Sequence, residues 1–109
     1  MATTPQTWQS TLNVSASYVT VATGATNGSQ VSSIWLANTN ATTARTVTLV
    51  VGGSGVPTAN IVSYITIQPN DSILIPMPNS PIVLKSGITF KAYQDVGTDV
   101  NILACGLDM

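Results

Sequence analysis

Apolar and polar residues alternate along most of this chain, and the alternation has a period of two. Tyr18-Val19-Thr20-Val21-Ala22, Gln30 to Ala37 and Arg45 to Val51 each read as strands rich in β-branched residues. Further runs follow at Ile61 to Ile67, Ser72 to Pro76, Ile82 to Leu84, Ile88 to Tyr93 and Val100 to Leu107. Turn-forming residues separate them: Gly24 to Ser29, Asn38-Thr39-Asn40, the surface loop Gly52 to Pro57, and Pro69-Asn70-Asp71. Later breaks fall at the Pro78 to Pro81 corner, Ser86-Gly87 and Asp95 to Asp99. No helix-length window carries an apolar stripe at a period of 3.6 free of Gly, Pro and β-branched clusters. About eight short strands with turns every 8 to 12 residues or so predict an all-β chain, an antiparallel β-sandwich of jelly-roll-like form. At 109 residues it is one domain. Residues 15–109 are expected to form the sandwich, and 1–14 an N-terminal arm or extended segment ahead of it.

Charge changes this picture most. Three cations (Arg45, Lys85, Lys91) and four carboxylates (Asp71, Asp95, Asp99, Asp108) make 6% of the chain, against about 25% in ordinary proteins. Thr, Ser and Asn take their place, and there is no His. Three cations cannot track a phosphate backbone, so nucleic acid is not an expected partner. The longest apolar runs fall far short of the ~20 residues of a membrane span, so no membrane is expected either. Met1 to Gln6 has no basic segment leading into an apolar run, so no signal peptide is expected and synthesis is placed in the cytoplasm. A chain with so few charges lacks the usual defence against self-association, which points to a homo-oligomer.

Candidate chemistry is thin. Cys105 stands alone in the run Asn101 to Cys105 and has no His to serve as its base, so it reads as a small buried hydrophobe. Asp95 and Asp99 bracket a turn; paired acid catalysis or, with Asn101, a calcium site would need them converged, whereas Asp is also an ordinary turn residue. One Cys and no His leave no zinc or haem ligation. Gly52-Gly53-Ser54-Gly55 has no Lys-Ser/Thr behind it and no helix to open, so it is no phosphate loop. No enzyme active site and no cofactor are therefore expected.

Several segments taken in order carry a resemblance. Val31-Ser32-Ser33-Ile34-Trp35-Leu36-Ala37-Asn38-Thr39 is followed by Arg45-Thr46-Val47-Thr48-Leu49, then Ile67-Gln68-Pro69-Asn70-Asp71-Ser72-Ile73. Pro81 to Ile88 and Val100 to Leu107 complete the set. Together, over residues 17 to 107, they resemble small β-sandwich virion proteins of tailed bacteriophages, which attach to capsid or tail as decoration, cement or fibre-type components. Two segments depart from that pattern. Thr20-Val21-Ala22-Thr23-Gly24 stands where a Val-Pro-Ala-Gly turn is common, and Lys85, Ser86 and Ile88 stand in the usual Leu-x-x-Gly-Asp turn. The resemblance implies a non-enzymatic role on the virion, foremost as a capsid decoration or cement protein, otherwise in the tail, neck or a fibre. It implies the major capsid protein or tail components as partners and favours a trimer.

The aromatic residues supply the rival reading, a carbohydrate-binding module in which Trp or Tyr stacks on sugar rings. Trp35 lies within a strongly apolar strand and is expected in the core. Trp8 sits in polar surroundings (Gln6-Thr7-Trp8-Gln9-Ser10), so it is expected to pack on a neighbouring subunit or on the body of the domain, and with Leu12 to anchor the arm to its assembly. Tyr64 and Tyr93 alternate with small polar residues and join Trp8 and Leu12 as expected interface positions.

Overall fold

The computed structural model describes residues 3–14, 17–52, 61–76 and 82–109. Nine strands run through them: β1 (Thr4–Thr11), β2 (Val19–Thr23), β3 (Ser29–Asn38), β4 (Arg45–Gly52), β5 (Ile61–Ile67), β6 (Ser72–Pro76), β7 (Ile82–Leu84), β8 (Thr89–Gln94) and β9 (Val100–Asp108). The Gly53 to Pro57 part of the expected loop and the Pro78 to Pro81 corner lie outside the described residues. The first sheet has the order β1-β9-β3-β6, with β7 also on β3; the second has the order β2-β8-β4-β5. Every pairing is antiparallel.

The pairs nest. β4 joins β5, β3 joins β6 and β7, β2 joins β8, and β1 joins β9. β6 lies along Ser33–Ala37 of β3 and β7 along Ser29–Val31, so the two are halves of one interrupted strand. Counted that way the chain is one long ribbon of four strand pairs folded over itself into two four-stranded sheets, the jelly-roll plan. The expected fold class therefore stands in full.

Alternation places the core. On β3, Val31, Ile34 and Leu36 point between the sheets; on β9, Val100, Ile102 and Ala104 do so. Val47 and Leu49 of β4 and Phe90 and Ala92 of β8 face them from the second sheet. A bulge between Val31 and Ser33 resets the β3 register against β9. Beside it, a Cβ on Gly106 would land on the Gln30 carbonyl oxygen, so only glycine fits that approach.

Residues 4–11, expected as an arm or extended segment, are an edge strand of the sandwich, paired with β9 from Thr4↔Asp108 to Thr11↔Asn101. Leu12 follows directly, and its N–H donates to the Val100 carbonyl at 2.8 Å. It is 0% exposed and belongs to the core, so it is not an interface contact. Among the described residues no helix is long and apolar enough to cross a membrane.

Candidate functional site

At one end of the sandwich the connections β3–β4, β5–β6 and β8–β9 are held by polar side chains. Buried Asn38 donates from Nδ2 to the carbonyls of Thr43 and Ile67, both at 3.0 Å, and accepts the Asn40 N–H at 3.0 Å. Asn70 turns the β5–β6 connection with φ of 54°, a left-handed conformation that Asn tolerates. Asp99 receives the Arg45 guanidinium through Nε at 2.8 Å and Nη2 at 2.7 Å, and the Asn40 amide at 3.2 Å. These bonds, the Arg45 one foremost, hold the Asp99 carboxyl below its ordinary pKa, against a smaller opposing effect of burial. Gln94, also buried, donates to the Leu12 carbonyl and accepts the Asp99 N–H.

At this end Asp95 and Asp99 take separate hydrogen-bond partners. Asp95 accepts the Val96 N–H at 2.9 Å, as a turn residue does. Asn101 accepts from the Thr11 hydroxyl at 2.9 Å, on the outer face of β9. Among the described residues no three or more His, Cys, Asp or Glu side chains gather to hold a metal. Asp108 serves the opposite end of the strands, accepting from Ser29 Oγ at 2.6 Å and Gln6 Nε2 at 2.9 Å.

Of the aromatic residues, Trp8 takes one of its two expected places, on the body of the domain, and Trp35 departs from expectation. Trp8 stands opposite Ala104 in register, on the inward side, and packs half-buried against the core. Trp35 is on the outer face of the first sheet and 44% exposed, which corrects its assignment to the core. The reason is periodicity: Ile34 and Leu36 on either side of it point inward, so Trp35 must point out. Cys105 shares that outer face, opposite Thr7 and Ser33, and is half-buried outside the core cluster. Tyr64 and Tyr93 flank Thr48 from the two neighbouring strands on one face of the second sheet, and Tyr64 is 67% exposed on the edge strand β5. The Tyr18 ring lies 5.0 Å from the Lys91 ammonium.

The register builds one further feature. Gln9, Leu103, Trp35 and Leu74 form a row across the outer face of the first sheet, and Thr11, Asn101, Ala37 and Ser72 form the next. Around these rows lies an open hollow of about 580 Å³, whose ten lining residues include no charged side chain. Sequence reading missed it because its members come from four strands; the signal available was the alternation around Trp35. No protein-family model matches this chain, and no curated protein or solved structure matches it either.

Proposed function

We propose that the chain is a structural subunit of a tailed-phage particle, foremost a capsid decoration or cement protein that stabilises the particle exterior through its strand edges. One observation carries this reading. The strands at the edges of the two sheets, β1 and β6/β7 in one and β2 and β5 in the other, contain no charged residue. Monomeric β-proteins commonly guard such edges with Lys or Pro; here only Pro5 and Pro76, near strand ends, do so, and the uncharged remainder invites another strand or subunit. Here the edges also expose Tyr64, Leu74 and Val83. All seven charges sit on central strands or in turns. Jelly rolls build viral capsid domains among others, and the segment resemblance agrees with that use, although fold by itself does not assign function.

The test is native mass by light scattering together with co-sedimentation on phage particles. The wild-type chain is expected to form a closed oligomer, a trimer foremost, and to sediment with particles. Tyr64→Lys and Val83→Lys are expected to yield folded protein that does neither. A wild-type monomer that also fails to sediment with particles overturns the proposal.

A further inference from the structure

The geometry points to the hollow over Trp35 as a binding site for a neutral oligosaccharide, a role separate from assembly through the edges. A pyranose presents a face of C–H groups and a rim of hydroxyls, and a site for it needs an apolar platform beside uncharged hydrogen-bonding groups. Trp35 supplies the platform, with Leu103 beside it in the same row. Gln9, Thr11, Asn101 and Ser72 supply amides and hydroxyls around it. The Thr11 hydroxyl holds the Asn101 carboxamide through Oδ1 at 2.9 Å, which leaves the Nδ2 donors for a ligand. A volume of about 580 Å³ is within the range of small-ligand sites.

Charge selects among occupants. The lining carries no cation to pair with a phosphate, a sialic acid or a nucleic-acid backbone, and no charge that a neutral sugar would have to desolvate. A second copy docked two-fold about the hollow would set hollow against hollow and leave a void where interfaces require close packing, and a head-to-tail copy is told apart by the native mass in the test below.

The experiment titrates the full-length chain with cellotetraose, maltotetraose and the tetramer of N-acetylglucosamine, read by NMR at the Trp indole and Asn side-chain amides. At least one probe is expected to give saturable shifts at Trp35 and Asn101 and none at Trp8. Trp35→Ala should weaken binding at least about tenfold and Asn101→Ala several-fold, with Trp35→Phe restoring part of it. A sialylated oligosaccharide should bind no more tightly than its neutral parent. Absence of saturable shifts with all three neutral probes overturns the inference. So does a Trp35→Ala protein that keeps full affinity, or one that falls apart into monomers, which would make the hollow a subunit contact. Native mass is measured in the same samples, so failure here is distinguishable from failure of the assembly reading.

Discussion

The central strands of the two sheets follow the same plan, and their outer faces end in opposite states. On the second sheet, Thr48, Val50 and Lys91 all point away from the core and all are buried; Lys91 is 6% exposed and lies beside the Tyr18 ring. On the first sheet, Trp35 and Leu74 also point away from the core and remain open to solvent. A lysine sits on the covered face and a tryptophan on the open one, the reverse of what solvation alone would choose. The centre of the second sheet's outer face is covered, with Tyr64 open only at its β5 edge, whereas the first sheet's outer face presents apolar surface at its centre that water does not reward. The loop end belongs with the covered face: among the described residues, no buried side-chain nitrogen or oxygen there or elsewhere lacks a partner.

A matched pair of substitutions tests that contrast most severely. Val50→Lys would bury a second ammonium directly opposite Lys91 and is expected to cost about 3 kcal/mol or more. Trp35→Lys places the same side chain on the open face and should cost about 1 kcal/mol or less. Urea-unfolding midpoints measure both, and equal losses would erase the distinction between the faces. Next in size, Asn38→Ala leaves the Thr43 and Ile67 carbonyls without their donor and is expected to cost about 2 kcal/mol by the same assay. A neutral result would mean that water enters the loop end and that it is not closed.

The smallest effect is the pH dependence from Asp99. Its folded-state pKa is depressed, so its contribution to stability is fully present above the ordinary aspartate value. That contribution is lost as pH falls from there through the lower folded value. Arg45→Met should therefore flatten the acid limb of a stability profile taken between about pH 2 and about pH 6, with little change in slope near neutrality. An unchanged acid limb would show that the ion pair does not hold the loop end.

The strands were readable wherever β-branched residues alternate with small polar ones, as in Arg45 to Val51. β1 was not, because only Trp8 and then Leu12 mark its inward side among Gln6 and Ser10; what makes it a strand is the open edge of β9. Trp35 was misplaced by weighing the apolar run Ile34-Trp35-Leu36 as a block rather than by its period of two. The Arg45–Asp99 pair spans 54 residues and the hollow draws on four strands, so both depend on the way the ribbon folds over.

The nesting of that ribbon also has a kinetic meaning. Pairing of β4 with β5 closes the shortest loop, and once it exists β3 and β6 are already near one another. Each inner pair thus shortens the effective loop that the next must close, and the entropic cost of joining Thr4 to Asp108 is divided into four smaller steps. A chain whose two extremes must meet can in this way assemble like a zipper, from the middle outward.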